Sequence, residues 1–234
     1  MTAPGVFVTG TDTEIGKTVV AQAIAKTWIE RGHRVAGMKP VASGCRVTRE
    51  GLRNDDALAL QKACNVPAAY AAVNPYAFEP AIAPHIAAHR SGTRIDLGRI
   101  QCAFDDLVTY SDRVIVEGVG GWLVPLDERL TVADLALRLR LPVVLVVGIR
   151  LGCINHALLS YASISASGCP LAGWVANHCD LGCEAGAEIV ASLRNRLPAP
   201  LCAELPWMED PVNDAHLHIG ELLAGGCEPL IYCR

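Results

Sequence analysis

Short apolar runs of strand length alternate along the chain with longer segments whose apolar residues recur at helical spacing. The alternation is typical of a parallel sheet that is covered by helices on both faces. It therefore predicts an α/β fold with a doubly wound, mostly parallel sheet in three α/β/α layers, formed as a single domain by residues 1–234. The predicted strands cover residues 6–8, 33–38, 113–117, 141–147, 173–177 and 201–205, and the predicted helices cover residues 17–31, 54–64, 97–110, 131–138, 155–166 and 184–195.

Two stretches stand out from this pattern. Residues 141–147 are apolar without interruption, which predicts a strand at the centre of the sheet, covered on both faces. Residues 67–95 are rich in Pro and Ala and show neither period, so we expect them to form an excursion outside the sheet rather than a second domain.

Composition narrows the classes of function. Hydrophobic residues make up 51% of the 234 residues and aromatic residues only 5%, so the core must consist of Ala, Val, Leu and Ile. A net charge of −4 argues against a nucleic-acid partner or an anionic membrane surface. The apolar stretch at residues 141–149 is too short to cross a bilayer, and no signal peptide is recognisable. We expect a soluble, cytoplasmic protein.

Residues 10–18, the phosphate loop, read Gly-Thr-Asp-Thr-Glu-Ile-Gly-Lys-Thr and match the motif G-x-x-x-x-G-K-[ST]. Gly10 and Gly16 allow the backbone to turn its N–H groups towards phosphate oxygens, and the helix that starts at Lys17 adds its positive end. Lys17 would span the β- and γ-phosphates, while the Thr18 hydroxyl would ligate Mg²⁺. Because a predicted strand precedes the loop and a predicted helix follows it, the motif predicts ATP, Mg²⁺ and a P-loop NTPase-like fold.

Other polar residues follow the predicted strands at their carboxyl ends, where open α/β sheets bind ligands. The chain has four lysines against sixteen arginines, and one of the four, Lys39, follows the second strand. It is a candidate cation for a phosphoryl group or an anionic substrate. Glu117 ends the third strand before a glycine-rich turn and is a candidate Mg²⁺ ligand. Asn177 ends the fifth strand, where its amide could pair with a purine edge.

Two features remain open on local pattern alone. Asp55 and Asp56 open a helix, so one of them could cap it or could face the metal. The segment 152–156 follows the fourth strand and could bind an anion or a partner subunit, whereas His156 reads as a residue at a helix start.

Taken in order, several segments resemble the dethiobiotin synthetases of biotin biosynthesis. They are residues 8–18, 39–44, 51–57, 73–76, 116–122, 151–156, 173–177 and 205–207. The resemblance implies a homodimeric, Mg·ATP-dependent enzyme, a carbon–nitrogen ligase that closes a cyclic urea on 7,8-diaminopelargonate with CO₂. One amine would capture CO₂ as a carbamate, which attacks the γ-phosphate. The second amine would then close the ring on the resulting carbamic–phosphoric anhydride.

The resemblance also implies a role for individual residues. Lys17 and Lys39 would stabilise the transferring phosphoryl group. Thr18, Asp56 and Glu117 would hold Mg²⁺. Substrate contacts would come from Thr13, Lys39, Ser43 and Gly120, with Leu151 and Asn155 reaching the site from the other subunit. Nucleotide contacts would come from Glu14, Ile15, Gly16, Lys17, Thr18, Val19, Asp56, Glu117, Gly118, Gly120, Asn177, His178, Pro206, Trp207 and Met208.

Two other classes of P-loop protein are alternatives. Assembly or partitioning ATPases often carry an additional lysine early in the loop, where this chain has Asp12 and Thr13, and they tend to end in an amphipathic tail, unlike residues 224–229. Amidating enzymes of the cobalamin type carry a large glutamine-hydrolysing domain, for which 234 residues leave no room.

Overall fold

A computed structural model describes residues 5–208 of the chain. Its strands are β1 Gly5–Gly10, β2 Val35–Met38, β3 Val41–Ala42, β4 Arg46–Thr48, β5 Gly51–Arg53, β6 Tyr76–Ala77, β7 Arg113–Glu117, β8 Val143–Gly148, β9 Leu171–Asn177 and β10 Leu201–Leu205. Its helices are α1 Lys17–Glu30, α2 Asp55–Ala63, α3 Tyr70–Val73, α4 Pro84–Arg90, α5 Leu97–Tyr110, α6 Val132–Leu139, α7 Cys153–Ser167 and α8 Gly186–Arg194. Within residues 5–208, no helix is long and apolar enough to cross a membrane.

The central sheet has the strand order β10-β9-β8-β1-β7-β2, and its neighbouring strands are parallel. From β1 the chain runs outwards to β2, returns to β7, and then crosses to β8 on the other side of β1. The order therefore reverses at β1, and a crevice opens there at the carboxyl ends of the strands. The phosphate loop follows β1 and so begins at this crevice.

Alternate residues of each strand enter opposite faces of the sheet. Val6 and Val8 of β1 pack with α1, whose Trp28 is fully buried, while Phe7 points into the other layer with α5 and α6. The core on both faces consists mainly of Val, Leu, Ile and Ala. Each face of the sheet is covered, which is the three-layer α/β/α arrangement that the sequence predicts.

The six predicted strands of the central sheet are confirmed among residues 5–208, with differences at the ends of elements. β2 begins at Val35 rather than at residue 33, because the His33 N–H donates to the carbonyl of Trp28 and so completes the end of α1. α8 begins at Gly186 rather than at residue 184, because Glu184 is part of a turn in which its N–H donates to the carbonyl of Gly182.

The segment 67–95 lies outside the central sheet, as predicted, but it contains regular structure. It holds α3, β6 and α4, and β6 pairs in parallel with β3, which directly continues the path of β2. β4 and β5 form a separate antiparallel hairpin. These short elements build a wall beside the carboxyl ends of β2 and β7.

We expect the centre of the sheet to dominate stability. Leu145 of β8 is fully buried, so Leu145→Ala should lower the free energy of unfolding by about 3 kcal/mol or more through lost apolar burial and the cavity that remains. Leu137 of α6 is 41% exposed, and Leu137→Ala should cost less than about 1 kcal/mol. Urea unfolding of both variants checks this, and equal losses would contradict the central place of β8.

Candidate active site

The phosphate loop turns sharply between β1 and α1. Glu14 and Gly16 adopt positive φ angles of 55° and 85°. A Cβ at position 16 would lie 2.3 Å from Nδ2 of Asn177, so both the backbone angle and the close approach require glycine. The Asn177 amide donates to the carbonyl of Ile15 at 2.9 Å. The end of β9 therefore supports the loop directly.

Lys17 is buried beneath this loop. Its Nζ donates to the carbonyl of Asp12 at 2.5 Å, which folds the side chain back over the turn. Burial, and next the positive charge of Lys39, lowers the pKa of Lys17 to about 8. The lysine thus lies where a bound anion would both replace its backbone partner and raise its pKa.

A buried ion pair lies opposite the loop. Lys39 Nζ donates to Oε1 of Glu117 at 2.6 Å and to the carbonyl of Gly118 at 3.1 Å. It also lies 3.4 Å from Oδ2 of Asp56. Burial alone would lower the pKa of Lys39, but the Glu117 and Asp56 carboxylates outweigh it and raise that pKa. Lys39 is therefore a fixed cation at the site.

Glu117 joins the ion pair to the phosphate loop. The Thr18 hydroxyl donates to Oε1 of Glu117 at 2.8 Å, so this oxygen receives both Thr18 and Lys39. The other oxygen, Oε2, is buried and has no hydrogen-bond partner among the described residues. A carboxylate oxygen, a hydroxyl and the nearby Asp56 carboxylate are the donors that Mg²⁺ prefers. This donor set fits a magnesium ion.

These groups face one cleft of about 780 Å³, the central cleft. The structure brings most of the predicted site residues to it. Those that line it are Thr13, Glu14, Gly16, Lys17, Thr18, Val19, Lys39, Ser43, Asp56, Glu117 and Gly120.

A smaller cavity of about 470 Å³ lies by the ends of β9 and β10 and is lined by His178, Glu204, Pro206 and Trp207. Nε2 of His178 lies 3.0 Å from Oε1 of Glu204, which fixes one edge of the ring. Three of the lining residues are predicted nucleotide contacts, whereas Met208 packs instead against the core beneath α1. The side chain of Ile15 is also buried in that core, so Ile15 would contact a nucleotide through its backbone rather than its side chain.

Leu151 and Asn155 lie apart from both clusters. Leu151 is 96% exposed, and Asn155 is exposed on the first turn of α7. Neither residue lines the central cleft or the smaller cavity. Within one chain, the structure does not bring them together with Lys39.

Sequence reasoning missed several residues at the site. An ion pair joins the carboxylate of Asp12 in the phosphate loop to Arg150, which follows β8. Asn54 caps α2 by accepting from the N–H of Ala57 and also lines the central cleft. Residues 81–84 form another wall of the cleft. The polar residue before Asp55 was a local signal for the cap, but no local pattern marks the other two features.

Comparison with solved structures identifies the fold. The chain matches the MinC:MinD cell division protein complex of Aquifex aeolicus with a TM-score of 0.60 and 14% identity, over 95% of this chain and 96% of that chain. It matches a ParA family ATPase from Chlorobium tepidum with a TM-score of 0.54 and 14% identity, over 96% of this chain and 93% of that chain. The predicted P-loop NTPase-like fold is confirmed, but identities this low give no information about function.

Sequence relatives are more specific. A family model described as an AAA domain matches residues 4–215. The chain is 51% identical over 208 residues to the ATP-dependent dethiobiotin synthetase BioD of Pseudomonas paraeruginosa, covering 88% of this chain and 91% of the relative. It is also 51% identical over 226 residues to the protein of the same name from Pseudomonas aeruginosa, covering 95% and 99%. On this identity and coverage, the chain belongs to the dethiobiotin synthetase family.

Proposed function

We propose that the protein is an ATP-dependent dethiobiotin synthetase. It closes a cyclic urea on 7,8-diaminopelargonate with CO₂ and ATP, and it releases dethiobiotin, ADP and phosphate. The observation that carries this proposal is the buried Lys39–Glu117 pair, which faces the phosphate loop across one cleft. The 51% identity to two synthetases of this name supports the same reaction.

The chain supplies a place for magnesium. Thr18, Asp56 and Glu117 would hold the ion, and the unpartnered Oε2 of Glu117 supports this assignment. When bound, Mg²⁺ neutralises charge on the phosphate oxygens and polarises the terminal phosphoryl group.

The difficulty of the reaction is electrostatic, because a carbamate anion must approach the γ-phosphate of ATP. Lys17 and Lys39 both face the central cleft, and each can neutralise part of this crowded negative charge. Ser43, Gly120 and residues 81–84 form walls of the cleft, and these walls would hold the diamine in line with the phosphoryl group. Positioning and charge suffice, so no covalent intermediate on the enzyme is needed for either amine to react.

The smaller cavity is the place for the nucleobase. Asn177 uses one amide hydrogen on Ile15, which leaves a second hydrogen and its oxygen for a base edge. His178, Pro206 and Trp207 supply ring and backbone surfaces around that position. Gly118 and the loop residues Glu14 to Val19 would contact the phosphates and ribose.

We further propose that residues 1–234 act as one catalytic domain in a homodimer in the cytoplasm, where ATP is available. The support for a partner lies on α7 and the turn before it, which present apolar side chains to solvent. Leu151 is 96% exposed and Leu159 is 62% exposed. If a second subunit covered this surface, Leu151 and Asn155 of one subunit would approach the substrate that is bound to the other subunit.

We expect phosphate release from ATP to require both the diamine and bicarbonate. The carbamate is the nucleophile, so omission of either compound should reduce release to a low background. Phosphate should be measured together with the cyclic urea by mass spectrometry, with a monoamine analogue as the control. Equal ATP turnover without the diamine, and no urea product, would overturn the proposal and favour an assembly ATPase.

Lys39→Ala should lower kcat by about 10²- to 10³-fold, because the lost cation acts on developing charge, while ATP affinity changes far less. Lys62 is an exposed lysine on α2, and Lys62→Ala serves as the matched control that should keep full activity. Turnover, ATP binding and thermal unfolding are measured for both variants, so that any unfolded fraction is removed from kcat. A defect confined to ATP binding would contradict the role of Lys39.

ATP affinity should fall as pH rises through the lowered pKa of Lys17, about 8. Below that pH the lysine is charged both before and after binding. Above it the free protein has lost a proton that the polyphosphate restores, so binding should take up roughly one proton at about pH 9. Calorimetry with preformed Mg·ATP in buffers of different ionisation enthalpy measures the uptake. Lys17→Arg, which does not titrate in this range, should abolish it, and uptake that persists would exclude Lys17 as the source.

A further inference from the structure

The backbone of Lys39 is held by residues outside the central sheet. β2 ends at Met38 and lies at the edge of the sheet, so Lys39 has a neighbouring strand on one side only. On its other side, the Lys39 N–H donates to the carbonyl of Val73 at 2.8 Å. The Lys39 carbonyl accepts from Nδ2 of Asn74 at 2.6 Å. The end of α3 thus takes the place of a missing strand.

The hydroxyl of Tyr70 connects this contact to a second part of the site. It donates to Oδ1 of Asn74 at 3.1 Å and accepts from the Asn54 N–H at 2.8 Å. Asn54 is the N-cap of α2, the helix whose second residue is Asp56. A single oxygen atom therefore joins the segment that carries Lys39 to the helix that carries Asp56.

The geometry of Tyr70 is set independently of this hydroxyl. Tyr70 and Asn74 are four residues apart across one helical turn, so their side chains lie on the same face. The guanidinium of Arg53 lies 4.3 Å from the centre of the Tyr70 ring. Burial raises the pKa of Tyr70 above its ordinary value, and the hydroxyl remains a donor at neutral pH.

The direct contact between Lys39 and Asp56 is exposed to solvent on the Asp56 side. The two charged groups lie 3.4 Å apart, and the Asp56 side chain is 49% exposed, so solvent screens their attraction. By contrast, Asn74 and Asn54 are buried, and unmet hydrogen bonds there would be costly. The buried network is therefore better suited than the ion pair to fix the distance across the cleft.

We propose that Tyr70 and Asn74 are positioning residues for phosphoryl transfer, which hold Lys39 in line with the Mg²⁺ ligand Asp56 through the hydrogen bonds to Asn54 and to the Lys39 carbonyl. The inference rests on the proposed function. Neither side chain lines the central cleft, so each acts through its neighbours.

The test is Tyr70→Phe, which removes one oxygen and keeps the ring beneath Arg53. We expect kcat for formation of the cyclic urea to fall about tenfold, because the variant loses the hydrogen bonds that link the segment of Lys39 to the helix of Asp56. The KM for ATP should stay within about twofold, since the hydrogen bonds of Tyr70 and Asn74 go to Asn54 and to the Lys39 carbonyl rather than to the phosphate loop. The Mg²⁺ concentration for half-maximal rate should rise as Asp56 shifts.

Tyr110→Phe is the matched control, because Tyr110 is 63% exposed at the end of α5. It should leave kcat, the KM for ATP and the Mg²⁺ requirement unchanged. Asn74→Asp is the second variant. It keeps an acceptor for the Tyr70 hydroxyl but removes the amide donor to the carbonyls of Lys39 and Tyr76, and it should reproduce the loss in kcat at constant KM for ATP.

The outcomes separate the two levels of the claim. A wild-type protein that makes no cyclic urea overturns the proposed function itself. An active wild type with Tyr70→Phe indistinguishable from Tyr110→Phe overturns the positioning role alone. A loss of kcat that matches the unfolded fraction in thermal melts, or a failure of both Tyr70→Phe and Asn74→Asp to fold, also overturns it, because the network would then support the fold rather than align the site.

Discussion

The site depends on a buried ion pair that the register of two parallel strands creates. β2 and β7 pair with Met38 opposite Val116, so the next residues along the chain, Lys39 and Glu117, lie side by side at the carboxyl edge of the sheet. Both side chains are nearly inaccessible to solvent, and breaking such a pair is costly because it strands a charge in the interior. The Thr18 hydroxyl reaches the same carboxylate from α1. Sheet pairing thus places a cation and a hydrogen-bond acceptor against the phosphate loop.

The residues that sequence reasoning located best are those whose role is written into a local pattern. The phosphate loop is one continuous motif, and the apolar runs of β1, β7 and β8 mark strands whose ends carry Glu117 and the loop itself. The contacts between these residues and distant parts of the chain could not be predicted in the same way. The hydrogen bond between Asn177 and Ile15 joins positions 162 apart, and no period in the sequence encodes it.

The segment 67–95 also shows where prediction from local sequence pattern fails. Its Pro- and Ala-rich sequence lacks a clear period, because β6 has two residues, α3 has four and α4 has seven. Elements this short are stabilised by tertiary contacts rather than by their own pattern. The backbone support for Lys39 and the wall at residues 81–84 both come from this segment.

Under the proposed assignment, Asn177 would act at both ends of the nucleotide. Its amide supports the phosphate loop through Ile15, and it directly precedes His178, which lines the cavity assigned to the base. A substitution of Asn177 that is meant to change the choice of nucleobase would therefore also remove its support of the phosphate loop. His178 and Trp207 line the cavity, and their side chains do not support the loop in the way that Asn177 does. Substitutions at these two positions would therefore change selectivity for the base while the phosphate-binding part of the site keeps its structure.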